Sequence, residues 1–196
     1  MLAIATFSSV KSANRSARVA EQSLLVGLRP ILIPSREDDP PERIRFGDDQ
    51  VLTVPGHGGA VEVANDNIYM AIALRNGGAG MAVIHGWYVS VPEGPQSTAD
   101  DPKPVEEFRR QQLDLYVPAG DIGFWQGALR DPADTNYERV RAAAESRERV
   151  LVDILYGDHE GGQRTITRFA ISDWADVEGE RVQALRHWSV DRDNPR

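Results

Sequence analysis

Four histidines are the side chains of this 196-residue chain best placed to move protons or bind metal near neutral pH: His57, His85, His159 and His187. No two stand at the i, i+4 spacing that sets a pair of imidazoles on one helix face, and the chain has no cysteine. An H-E-x-x-H centre, a thiolate zinc site, a cysteine nucleophile and a disulfide framework are therefore all absent from the sequence. Asp158, His159 and Glu160 are consecutive between two strand-like runs. They are either a solvated turn, since Asp and Gly favour turns, or a cation site. His57 lies between glycines in PGHGG and is expected to be exposed and mobile. His85, two residues before Trp87 in an apolar run, and His187, beside Trp188, are expected to be packed or hydrogen-bonded.

The remaining chemistry is thinner. The body's serines (Ser35, Ser90, Ser97, Ser146, Ser172, Ser189) stand in no G-x-S-x-G elbow. Gly78 and Gly80 begin a G-x-G-x-x-G pattern, but its third position is Val83, and the β-rich run VIHGWYVSV follows where a phosphate-binding helix should start. The carboxylate pairs Asp38-Asp39, Asp48-Asp49, Asp100-Asp101 and Glu106-Glu107 adjoin loop signals and suit a solvated surface better than a glycosidase cleft. Asp153 differs, because it interrupts the apolar run VLVDILY. It either points outward or is buried and paired, with Arg75 and Arg168 as candidate partners. Phe124 and Trp125, with Tyr116 nearby, either pack between sheets or line a surface for a ligand or partner. No catalytic residue, cofactor or metal ligand is assigned. His57, His159 and Trp125 are the candidate ligand or partner surface, with a cleft expected near His57, His159 and the loop 92–104.

The elements that must position these groups are mostly strands. RIRFGDDQVLTV alternates around a Gly-Asp-Asp turn, and NIYMAIAL is apolar on both faces, as a central strand should be. MAVIHGWYVSV is another long strand. Leu113, Leu115 and Val117 alternate as a strand would, and GDIGFWQGAL, residues 120–129, is expected to be an irregular one. The runs 149–156 and 165–171 flank GDHEGGQ as a hairpin, and a last strand covers 182–190. YERVRAAAESR is the one helix expected in the body, with Asp134 as its cap. Seven to nine strands in ~165 residues with no strand–helix rhythm point to a two-sheet antiparallel sandwich.

Residues 1–28 are of another kind. Leu2, Ile4, Ala5, Phe7 and Val10 form a short apolar run, and Ala13, Ala17, Ala20, Leu24 and Leu28 then recur at helical spacing. A helix over the whole stretch would be ~42 Å long. The apolar start is too short to span a bilayer and lacks the basic region that precedes a signal peptide's core. Charge divides the same way. Residues 1–36 hold five basic groups against Glu21, a balance of +4, and residues 37–196 hold 17 basic against 29 acidic, a balance of −12. An acidic body is a poor nucleic-acid binder, so no nucleic acid is expected as partner. Phe7, Lys11, Arg15 and Arg18 are the candidate contacts with an anionic membrane surface or a protein partner. The helix either packs on the body, lies at a membrane, or joins copies of the chain. An upstream spanning segment would leave the body in the cytoplasm, because basic flanks stay inside.

In LRNGGAGMAV, Asn76, Gly77, Gly80 and Ala82 resemble the N-x-G-x-x-x-A connection of immunoglobulin-like bacterial sandwich modules of the adhesion-associated kind. There the asparagine and glycines turn the chain between core strands. The wider order of basic helix, LRP, NGGAG, GFWQGALRD and LYGDHEGG resembles a group of uncharacterised bacterial proteins, many with a spanning helix upstream. The resemblance implies a fold and an anchor but no activity.

The fold expected is thus mainly β, an antiparallel immunoglobulin-like β-sandwich (30–190) preceded by a long N-terminal amphipathic helix (1–29) and followed by a tail (191–196). The function expected is that of a non-enzymatic interaction or scaffold module, membrane-associated on the cytoplasmic side, or cytoplasmic. The alternatives are a small-molecule-binding or hydrolytic β domain, and a soluble homo-oligomer joined through the helix.

Overall fold

The computed structural model describes residues 14–21, 23–25, 27–94, 98, 100–173 and 180–191. Its strands, in chain order, are β1 (Leu32–Pro34), β2 (Glu42–Arg45), β3 (Val51–Val54), β4 (Gly59–Ala64), β5 (Asn67–Asn76), β6 (Ala82–Ser90), β7 (Arg109–Arg110), β8 (Tyr116–Val117), β9 (Ile122–Leu129), β10 (Val150–Gly157), β11 (Thr165–Asp173) and β12 (Glu180–Ser189). The protein is mainly β, and every strand pair among the described residues is antiparallel.

In the first sheet, β1 and β4 share one edge of β5 and β9 takes the other. The second sheet runs β12-β11-β10-β6, with β7 and β8 on the outer edge of β6. β2 and β3 form a separate hairpin. NIYMAIAL is central because alternate residues serve two cores. Ile68, Met70, Ile72 and Leu74 enter the main core with Trp87, Trp125, Ile154 and Phe169 of both sheets. Tyr69, Ala71 and Ala73 meet Ile44, Phe46, Leu52 and Val54 of the β2–β3 hairpin on the opposite face. Each such Ile or Leu contributes about 1.5–3 kcal/mol by leaving water. The helix Tyr137–Ser146 buries Tyr137, Val140 and Ala143 in the main core. Its start departs from expectation. Asn136 occupies the cap position without a side-chain bond, and Asp134 instead accepts the Asn136 N–H one turn earlier.

The outer face of the second sheet is also covered. Asp153 and Arg168 stand opposite each other in the β10–β11 register and are joined by two 2.7 Å bonds. Of the two readings for Asp153 the buried, paired one holds, and Arg75 bonds Asp39 instead. Burial pushes the Asp153 carboxyl up, against the pull of the Arg168 guanidinium. Arg168 also donates to the Asp100 carbonyl at 2.9 Å and lies 5.0 Å from the Trp188 ring. The chain after β6 is thereby drawn across Leu155, Ile166 and Trp188, with Val105 and Phe108 packed on them.

Two expectations change here. Leu113 is exposed and outside any strand, so the Leu113–Leu115–Val117 alternation reduces to the two-residue β8. At the N-terminus, residues 14–21, 23–25 and 27 are helical, and Ala17, Ala20 and Leu24 are exposed, so this stripe is not packed on the body. Ala13, Phe7 and Lys11 lie outside the described residues. The helix ends where the body grips it. Leu25's carbonyl accepts from Gln163, Arg29 donates to Ser189 Oγ at 3.1 Å, and Pro30 is buried.

Asn76 sits at the junction of these parts. Its Nδ2 donates to the carbonyls of Gly80 (2.7 Å) and Val117 (3.0 Å), and its Oδ1 accepts the N–H groups of Ile31 (3.2 Å) and Gly78 (3.0 Å). The side chain is fully buried. Asn76→Asp keeps the shape but turns an acceptor toward two carbonyls. It is expected to cost about 3 kcal/mol or more, read as a lowered urea midpoint with unchanged slope.

Candidate functional site: an arginine-lined cleft at the sheet edges

A cleft of about 600 Å³ opens where the outer edges of β7 and β9 face each other. Its walls are the β2–β3 turn (Phe46, Gly47, Asp48) and Arg109 to Leu113; Trp87, Gln126, Gly127, Ala128 and Arg130 complete it. Two glycines let these parts close up. A Cβ on Gly86 would meet the Arg109 carbonyl at 2.7 Å, so the bare backbone admits β7 alongside β6. A Cβ on Gly127 would meet the Trp125 ring at 2.6 Å and Trp87 at 3.1 Å. Those rings meet edge to face, 5.5 Å apart, beneath the cleft.

Three arginines line this space. Arg109 lies 5.4 Å from the Trp87 ring and pairs with Asp134, and burial lowers its pKa from the ordinary value. Arg130 donates to Asp48 at 3.1 Å and lies 5.7 Å from the Tyr69 ring. The Tyr69 hydroxyl donates to the same Asp48 oxygen at 2.7 Å, and this bond, helped by Arg130, holds the Asp48 carboxyl below its usual range. Arg110 is exposed and has no ion pair among the described residues. Between them lie two glutamines, each 6 % exposed. Gln111 Nε2 donates to the carbonyls of Leu113 (2.8 Å) and Gln126 (3.1 Å), and Gln126 Nε2 donates to Asp114. These acceptors fix both amide orientations, because a flip would set oxygen against oxygen. Both Oε1 atoms are left buried without a partner among the described residues. The lining contains no hydroxyl, imidazole or amine. It offers guanidinium donors that suit an anion and two buried acceptors that suit N–H or O–H groups.

The residues singled out from sequence are placed elsewhere. His57 is half-buried in the turn before β4, with φ of 59°. Its N–H donates to Ser35 Oγ at 2.9 Å, its Nδ1 lies 3.0 Å from the Ser35 carbonyl, and its own carbonyl accepts from Val182. It is a fixed turn residue rather than a mobile one. His159 is exposed in the β10–β11 turn, 3.2 Å from Glu160. The two do not share a cleft. His57 bonds β12 at Val182, whereas Arg164, which closes the His159 hairpin, bonds Asp191 beyond the other end of β12. Nine residues of strand separate those points by ~30 Å. Trp125 is fully buried and contributes its ring to the base of the cleft region rather than to a surface. Phe124 packs toward the hairpin cluster and Tyr116 is exposed. Arg15 and Arg18 are exposed on the N-terminal helical segment. Gly78 and Gly80 abut the backbone of Arg29 and Leu28, which explains their glycines without a phosphate. Among the described residues no group of three His, Cys, Asp or Glu side chains is arranged to hold a metal ion.

Arg109, Arg110, Gln111, Gln126 and Arg130 carried no signal in the sequence. They are not a motif, and only the pairing of β7 with β6 and of β9 with β5 unites them. Comparison of the chain with protein-family models, with curated proteins and with solved structures found no match.

One histidine outside the cleft gives a pH test. Burial, and then the charge of Arg164, lower the His85 pKa below its ordinary 6.5, while Asp158 and Asp191 oppose this. The unfolded chain therefore takes up this proton more readily than the folded one. The stability held above pH ~6.5 is lost as pH falls from there toward the lowered folded value. Urea midpoints measured from pH 7.5 to 5 should fall, and His85→Gln should flatten that slope.

Proposed function

We propose that this protein is a non-enzymatic interaction module whose β body binds an anionic partner in the arginine cleft. The presence of Arg109, Arg110 and Arg130 in the lining of one cleft, in a body of net charge −12, carries the reading. Elsewhere that body repels anions, so a local cluster of guanidinium groups selects where one docks. A volume of about 600 Å³ is within the range of small-ligand sites. The finer architecture belongs to the proposal too: an immunoglobulin-like sandwich carried on a long N-terminal helix. Two antiparallel sheets over one core support the first part. Titration of the full chain with inorganic triphosphate, followed by tryptophan fluorescence, is the test. Saturable, salt-sensitive binding that weakens about tenfold in Arg110→Gln/Arg130→Gln is expected. Binding unchanged by the double substitution, or none, would sink this reading.

A second element of the proposal is attachment through the N-terminal segment to an anionic membrane surface on the cytoplasmic side. Val19 and Leu24, 56 % and 64 % exposed, and the exposed Arg15 and Arg18 support it. Among the described residues no helix is long and apolar enough to cross a membrane. Co-sedimentation of the full chain with vesicles containing phosphatidylserine should exceed that with neutral vesicles, fall with salt, and be lost in Arg15→Glu/Arg18→Glu/Leu24→Glu. A soluble dimer disrupted by the same substitutions, with no vesicle binding, would favour self-association instead.

A further inference from the structure

The outer edge of β9 is a row of backbone groups whose direction can be worked out from its neighbours. Ala73 sends its N–H to the Gly58 carbonyl and receives the Ser35 N–H on its own carbonyl, so it faces the β1 and β4 side. Even-numbered residues of β5 therefore face β9, as the Asn76 N–H bond to the Asp121 carbonyl shows. In the β5–β9 register Ile72 stands opposite Trp125 and Met70 opposite Gly127. Residues 125, 127 and 129 thus bond β5, and Phe124, Gln126 and Ala128 turn their backbone outward. The Gln126 carbonyl confirms the direction, because it meets the Gln111 side chain across the cleft. Among the described residues the N–H groups of Gln126 and Ala128 and the Ala128 carbonyl make no backbone bond on that side.

Nothing in the second sheet fills this edge. β7 ends at Arg110, and the chain rejoins β6 only at β8. Between them, the Gln111 side chain bonds the Gln126 carbonyl and the Asp114 carboxylate accepts from the Gln126 side chain, and neither pairs with the β9 backbone as a strand. The buried, unpartnered Oε1 atoms of Gln111 and Gln126 lie in the same cleft and call for N–H donors. A simple inorganic anion satisfies arginines but brings no N–H group. An extended peptide brings alternating N–H and C=O groups for the edge, and acidic side chains bring carboxylates for Arg110 and Arg130.

We infer that the anionic partner is an acidic peptide segment in extended conformation, which adds as a strand to the outer edge of β9 at Gln126–Ala128. This rests on the reading of the cleft as an anion-binding site and adds to it a backbone-directed geometry. The edge groups set the direction and spacing of the peptide, and the arginines select its charge. Arg109, already paired with Asp134, keeps the Trp87 face covered and the wall in place.

The test uses the full chain and the blocked peptide acetyl-Glu-Val-Glu-Val-Glu-Val-amide. Two N-methylated versions, substituted at the odd or at the even positions, accompany it, with inorganic triphosphate beside them. An added strand presents only every second N–H to β9. One N-methyl series should therefore bind about tenfold more weakly and the other should match the parent peptide. Amide exchange at Gln126 and Ala128 should slow when the peptide is bound. Ala128→Pro removes an outward N–H and no bond to β5, so it should weaken peptide binding. A circular dichroism spectrum identifies any variant that fails to fold, and the exchange measurement on the unsubstituted chain decides the matter without it. Equal binding of both N-methyl series, or unchanged exchange at Gln126 and Ala128, would overturn strand addition. Binding of triphosphate but of no peptide would overturn it while leaving the anion cleft standing. Failure of every probe to bind the folded chain would overturn both.

Discussion

The Asn76 carboxamide is the interaction on which the arrangement of the body depends. It stands at the end of the central strand β5, where the chain must leave one sheet for the other. Four polar backbone groups from three separate places would be buried there without partners, and one amide satisfies all four. No other side chain offers two donors and two acceptors in a plane of this size. Its bond to Val117 sets β8, and β8 sets where the chain rejoins β6 after the excursion from Arg110. The cleft is the space left by that excursion. A turn residue thus determines the shape of a site it does not touch. The buried Tyr156 hydroxyl makes a second link of the same kind, accepting the Leu32 N–H at 3.1 Å and so tying β1 of the first sheet to β10 of the second.

Much of the strand order was legible because local pattern and burial agree. NIYMAIAL turns side chains from Ile68 to Leu74 into a core on each face of β5, and the Gly161-Gly162 hairpin follows from turn chemistry, with Gly161 at φ 80°. The asparagine–glycine connection was visible as a motif, though not its four partners, which lie up to 45 residues away. Leu113 misled because alternation marks a strand only where an edge is available to pair, and the chain there has swung away from β6. Asp153 needed its register: opposite Arg168 a carboxylate in an apolar run is stable, and opposite a valine it would not be. The cleft was not legible at all. Its arginines are separated by up to 21 positions and look like ordinary surface charge until two strand edges bring them together.

The site differs in kind from the histidine surface that the sequence suggested. Histidines drew attention because their chemistry is versatile, yet His57 serves a turn, His85 is packed under the hairpin, and His187 accepts or donates a 2.7 Å bond with Thr167. Each is engaged in holding backbone or core together. In the cleft lining the buried groups with unspent hydrogen-bonding capacity are two glutamines, residues whose type carries no chemical signature. His85 Nε2, Arg75 Nε and the indole nitrogens of Trp125 and Trp188 are buried without a partner elsewhere among the described residues. Unsatisfied polarity in a cleft is a property of the folded arrangement, so it appears only after the strands are assembled.

The grip on the end of the N-terminal helical segment has a mechanical meaning. Gln163 holds Leu25, Arg29 holds Ser189, and the chain then passes Gly78 and Gly80 into β1. A pull on the segment is borne first by side chains of the β11 and β12 ends, in the second sheet, and only afterwards by the pairing of β1 with β5, in the first. Load entering at one point is divided between both layers, at an edge strand of each.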